Sequence, residues 1–149
     1  MGALRPGRLL LALALSLPLR ARGAAEGQLT VVISGLRSTE GQVILALFDA
    51  EDGYPLELNK ATLLRRVPIA GSTTVTVTFD GVRPGRYAAA AIHDENLNNT
   101  LDTSWIGLPR EGVASSNGAH GHFGPPAFDD AAFEVDVAPA PLPLKMAYL

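Results

Sequence analysis

"STTVTVTFDG", Ser72 to Gly81, is the stretch that decides the fold. Val75, Val77 and Phe79 alternate with Thr74, Thr76 and Thr78. A helix, with its longer repeat, would scatter these apolar groups around its axis. A strand puts them on one face and the threonines on the other. The stretch therefore reads as a half-buried β-strand closed by the Asp80-Gly81 turn.

The neighbouring runs repeat the pattern. "QLTVVISGL" (28–36) alternates Leu29, Val31 and Ile33 with Thr30, Val32 and Ser34. "GQVILALFD" (41–49), "TLLRRVPIAG" (62–71), "GRYAAAAIHD" (85–94), "AAFEVDVA" (131–138) and "LPLKMAYL" (142–149) read as further strands. Pro68 assigns the 62–71 run to an edge or a bulge, because proline brings no N–H to a ladder. Alanine propensity pulls "YAAAAI" toward helix, but the run is short and follows the turn "RPG", which favours strand. "DAEDGYPLELNKAT" (49–62) has room for one helical turn. Seven short strands in about 120 residues, broken by Gly, Pro, Asn and Asp, give an all-β fold: a seven-stranded antiparallel sandwich in residues 26–149.

Residues 1–25 stand apart. "MGALRPGR" carries Arg5 and Arg8, "LLLALALSLPL" is an apolar run too short to span a bilayer, and "ARGAA" offers small residues for cleavage. This is the pattern of a signal peptide, although Arg20 and Arg22 are atypical before a cleavage site. The expectation is an exported protein, periplasmic or secreted, with no membrane span once the leader is removed. Four of the 12 basic residues and none of the 15 acidic ones lie there, so the remainder carries a net charge of −7. That argues against nucleic acid, which needs clustered Lys and Arg, and against an anionic membrane surface. There is no Cys, so neither a disulfide nor thiol catalysis is available.

Asp94 to Asp130 is a long loop between the last strands with no sustained period. Loops beyond about 12–15 residues are uncommon in compact domains and usually functional or disordered. Trp105, Ile106, Leu108, Phe123 and Phe128 favour order. The loop opens with "HDENLNNTLD", His93 to Asp102. Numbered from Asp94, the ligand positions 1, 3, 5, 7 and 9 of a calcium loop fall on Asp94, Asn96, Asn98, Thr100 (through its carbonyl) and Asp102. Two carboxylates, two amide oxygens and a backbone oxygen suit Ca²⁺. Trp105 occupies position 12, where an EF-hand has a bidentate Glu, so this is not an EF-hand. A further ligand would come from elsewhere: Glu95, Glu111, Asp129 and Asp130 are the candidates, Glu111 among them as a possible extra ligand, with water as the default. The bland alternative is an Asx-rich turn whose side chains bond the local backbone.

"HGH" (120–122) has the spacing of a zinc pair, but a Gly-rich solvated turn explains it more simply. His93, at a strand end, reads as a satisfied packing residue. Nothing marks a nucleophile: Ser115 and Ser116 lack a G-x-S-x-G context.

The run from Phe79 to Val135 resembles the DUF2141 family of uncharacterised exported bacterial proteins. The elements that carry the resemblance are Pro84-Gly85-Arg86-Tyr87, His93 to Asp102, Gly107 to Gly112, Ser116-Asn117 and Gly124 to Phe128. The similarity spans about Gln28 to Leu149. One departure is that the family tends to have Gly after the asparagines of the acidic run, where this chain has Leu97 and Asn99. The PG-x-Y element is also similar to that of transthyretin-like and collagen-binding B-type sandwiches, which implies an immunoglobulin-like topology but transfers no function.

The expectation is a non-enzymatic exported sandwich. Its loop is held by Ca²⁺ and presents a surface of Trp105, Arg110, His120, His122 and Phe123 to a protein or small-molecule partner. The alternatives are a small extracytoplasmic enzyme using His93 or His120 with Asp94, Asp102 or Glu111, and an accessory module of the cell envelope without a small ligand.

Overall fold

The computed structural model describes Gly2 and residues 25–149. The expected signal peptide, residues 1–25, lies outside these apart from Gly2 and Ala25. Eight strands form two sheets: β1 (Gly27–Ser34), β2 (Gln42–Phe48), β3 (Leu63–Pro68), β4 (Val75–Val82), β5 (Gly85–Asp94), β6 (Gly112–Ser115), β7 (Phe133–Val135) and β8 (Leu142–Lys145). One sheet has the order β4-β1-β8; the other runs β3-β2-β5-β6, with β7 also pairing β5. The result is a β-sandwich.

Three details depart from the sequence reading. The extra strand is β6, which lies inside the supposed loop 94–130 and pairs with the end of β5, His93 facing Gly112. The pairing is not wholly antiparallel: β8 runs parallel to β1, Val31 facing Leu142. The run 131–138 keeps only three strand residues, since Ala131 ends the short helix α1 (Phe128–Ala131) and Val137 is exposed. The helical turn expected between the second and third strands is a 3₁₀ turn at Leu58–Lys60.

Leu29, Val31 and Ile33 of β1 and Val75, Val77 and Phe79 of β4 face inward, as their alternation dictates. They meet Val43, Leu45 and Leu47 of β2 and Ala89 and Ala91 of β5 to form the core between the sheets. A second apolar layer covers the opposite face of the five-stranded sheet, where Phe48, Ala88 and Ala90 pack against Phe128 and Ala131. Hence β2 is buried at every residue and shows no alternation. The alanines of β5 are explained by the same layering, because small side chains let both coverings approach the central strand closely. Pro68 sits on edge strand β3, where a missing N–H costs no ladder bond.

The Tyr87 hydroxyl, just after the β4–β5 turn, donates to the Arg83 carbonyl at 2.8 Å and ties the corner where the chain crosses between sheets. Among the described residues no helix is long and apolar enough to cross a membrane.

Candidate functional site

The central strand β5 delivers His93 and Asp94, both fully buried, to one end of the sandwich. Buried polar groups persist only when bonded, and both are. Nδ1 of His93 lies 2.7 Å from the Tyr148 hydroxyl, and Nε2 lies 2.9 Å from the Glu40 carbonyl. That hydroxyl also accepts the backbone N–H of Arg37 at 3.0 Å. A carbonyl only accepts, so Nε2 carries the proton of the neutral ring, and Nδ1 accepts the Tyr148 hydroxyl proton. Burial pushes the Tyr148 phenol above its ordinary value. With both ring nitrogens engaged, His93 is a packing residue.

Asp94 is the hub of the turn that follows. One carboxylate oxygen accepts the Asn98 N–H at 3.1 Å; the other accepts the Asn99 N–H at 2.9 Å and the Gln42 side-chain amide at 2.7 Å. Gln42 donates to Asn99 as well, at 2.9 Å. The turn needs left-handed backbone at two non-glycine positions, Leu97 (φ 62°) and Asn99 (φ 65°). Asn tolerates this region, but Leu is strained there.

The remaining side chains of the turn converge. Asn96 Oδ1 accepts the same Asn98 N–H as Asp94, at 3.2 Å, so the two oxygens lie side by side. Asn98 Oδ1 accepts the Thr100 N–H at 3.1 Å. The Asp102 carboxylate takes the amide N–H groups of Asn96 and Asn98 at 2.5 and 2.7 Å. Asp94, Asn96, Asn98 and Asp102 are thus brought together. Among the described residues no three His, Cys, Asp or Glu side chains are grouped to hold a metal, so any ion here would depend on amide and carbonyl oxygens.

Glu111 straps this turn. One of its buried carboxylate oxygens accepts the Glu95 N–H at 3.0 Å, the other the Asp102 N–H at 3.1 Å. Glu95 is itself gripped by Arg37 through two bonds, at 3.0 and 2.5 Å. The Arg37 guanidinium holds the Glu95 carboxyl below its usual range, against the opposing effect of burial. The Arg37 guanidinium also lies 4.7 Å from the centre of the Tyr148 ring.

From Asp102 the chain makes a hairpin. The Asp102 carbonyl accepts the Arg110 N–H at 2.8 Å, Ser104 N–H bonds the Leu108 carbonyl at 2.7 Å, and Gly107 N–H bonds that of Ser104 at 2.9 Å. Trp105, 93% exposed, stands near the tip of this bonded frame. Beside it runs an open depression of about 390 Å³ lined by Trp105, Ile106, Leu108, Pro109, Arg110 and Leu149.

The histidines of "HGH" lie elsewhere. His120 Nδ1 is 3.2 Å from the Gly118 carbonyl, its ring meets His122 edge-on at 6.2 Å, and Phe123 is exposed. Among the described residues no hydrogen bond or ion pair joins them to Asp94, Asp102 or Glu111. Asp129 is paired with Arg86 at 2.9 Å. Ser116 and Asn117 fasten α1 to the sheet: the Ser116 hydroxyl accepts the Ala89 N–H at 2.9 Å and donates to the Ala131 carbonyl, and the Asn117 amide donates to the Ala132 carbonyl at 2.8 Å. Sequence reasoning missed Gln42 on β2, Arg37 in the β1–β2 connection and Tyr148 beyond β8, which support the turn and its entry from distant parts of the chain and carry no local motif.

A family model described as "Uncharacterized protein conserved in bacteria (DUF2141)" matches residues 31–141. No curated protein and no solved structure matches the chain.

Proposed function

The chain belongs to the DUF2141 family, and we propose that it is an exported, non-enzymatic binding protein whose Asp94–Asp102 turn takes Ca²⁺ and whose adjoining hairpin presents Trp105 and Arg110 to a partner. The convergence of Asp94, Asn96, Asn98 and Asp102 carries this reading. The Asp94 oxygen that accepts the Asn98 N–H, and the side-chain oxygens of Asn96, Asn98 and Asp102, each accept one local N–H and keep a further lone pair; the second Asp94 oxygen is filled by Asn99 and Gln42. With the Thr100 carbonyl they offer two carboxylates, two amides and a backbone oxygen, the donor chemistry Ca²⁺ prefers, and water completes the shell. On binding, the cation replaces the amide N–H groups that Asp102 otherwise accepts. Glu111 serves as the strap of the turn, with both oxygens on backbone N–H groups.

The hairpin supports the second half. An exposed Trp on a rigid, hydrogen-bonded frame loses little entropy on docking, and Trp and Arg are frequent anchors of binding surfaces. Its root, Asp102, is also the last ligand of the turn, so one residue serves both parts. His120, His122 and Phe123 are exposed as well, on another part of the loop. The leader-like residues 1–25 support export. Tyr87 at the β4–β5 corner supports an immunoglobulin-like topology, because a tyrosine bonded back to the preceding turn is a mark of that architecture.

Calorimetric titration of chelator-treated protein with CaCl₂ tests this. A single-site heat that vanishes in Asp102→Ala supports it; absence of heat overturns it.

A further inference from the structure

The sandwich guards its sheet edges unequally. Edge strand β3 carries Arg65, Arg66 and Pro68, and β8 carries Pro143 and Lys145. Charges and prolines of this kind deter an incoming strand. The outer side of β6 is met by Ala147, which exchanges two backbone bonds with Val113 at 3.0 and 2.9 Å. β7 has only three residues.

β4 has no proline or basic residue of its own, and its one irregularity is a bulge at Asp80–Gly81, beyond Phe79. It spans eight residues, pairs only with β1 among the described residues, and holds an unbroken register with it from Val75 to Phe79. It contains no proline and a single charged side chain, Asp80. In an antiparallel ladder alternate backbone groups face away from the partner, so half of those in β4 point outward from the sheet.

We infer that β4 is a self-pairing edge, where a second copy of this chain adds β4 to β4 antiparallel across a two-fold axis at Val77. The strand is complementary to itself in that register. Thr76 faces Thr78 and Val75 faces Phe79, all within the regular part of the strand, and the one charged side chain, Asp80, lies in the bulge beyond it, so no two like charges are opposed. The outer threonine row extends a pattern already present, since Thr78 and Thr30 meet hydroxyl to hydroxyl at 3.3 Å on adjacent strands. Sheet β4-β1-β8 becomes a six-stranded sheet. Arg65, 5.5 Å from the Phe79 ring, brings positive charge to this side of each copy. The contact is therefore confined to one sheet, small and reversible. The inference is independent of any cation at the Asp94–Asp102 turn.

Sedimentation velocity over rising protein concentration tests it, alongside hydrogen exchange of the β4 amides. The expected result is a monomer–dimer equilibrium with slower exchange in β4 at high concentration. Thr76→Lys with Thr78→Lys opposes lysines at both symmetric positions and raises the dimer Kd roughly tenfold. Thr76→Lys with Thr78→Glu opposes unlike charges in the same register and restores the dimer. Both positions are solvent-facing, and circular dichroism checks that the variants fold. A chain that stays monomeric, a dimer that both variants change equally, or β4 amides whose exchange ignores concentration would overturn the inference.

Discussion

The buried carboxylate of Glu111 accepts the backbone N–H of Asp102 at 3.1 Å. Its second oxygen holds the Glu95 N–H, so one side chain closes the chain segment between them. Glu111→Gln puts an NH₂ group against one of these donors and leaves that N–H unpaired. The expected loss is about 1–3 kcal/mol of unfolding free energy, read from the urea midpoint. Faster hydrogen exchange at the amides of Glu95 and Asp102 should accompany it.

Leu97 sits in left-handed backbone at φ 62° and is exposed. A side chain with a Cβ is disfavoured there by roughly 1–2 kcal/mol, and little burial is lost by removing it. Leu97→Gly should therefore raise stability by about 1 kcal/mol, with an increased thermal midpoint. Unchanged or lowered stability would show that this turn is not strained.

Tyr148→Phe strands the buried His93 Nδ1 and removes the acceptor of the exposed Arg37 N–H. The expected cost is about 1–3 kcal/mol at neutral pH. Burial raises the phenol above its ordinary value. A raised value means that the contribution is fully present below the unfolded-state value near pH 10 and is lost as pH climbs through the folded one. Chemical denaturation of the wild type and the variant should thus differ most at neutral pH and converge in strong alkali.

Trp105→Ala should leave stability within about 0.5 kcal/mol of wild type, since the side chain is 93% exposed. As the protein has one Trp, its fluorescence reports this surface directly. Emission should be red-shifted and readily quenched by acrylamide in the free protein. A well-shielded emission would contradict the exposed hairpin.

Legibility in the sequence followed how local the determining forces are. Val75, Val77 and Phe79 announce their strand because one face of it meets solvent. β2 has no alternation because both of its faces are covered. β6 escaped notice since four residues cannot display a period; its strand conformation comes from pairing with β5. The parallel contact of β8 with β1 joins the two ends of the described chain, which no local pattern encodes. The oxygen spacing from Asp94 to Asp102 was visible because the turn is contiguous. Gln42, Arg37 and Tyr148 were not, because each reaches the turn from another part of the fold.

The central claim, that the Asp94–Asp102 turn takes Ca²⁺, is tested most directly by thermal unfolding with saturating CaCl₂ and with EDTA. A ligand held only by the native state at about 100 times its Kd adds about 2.7 kcal/mol of stability. The wild type should therefore melt several degrees higher in Ca²⁺ than in EDTA, and Asp102→Ala should lose that difference. Identical melting temperatures for the wild type in the two conditions would contradict the account.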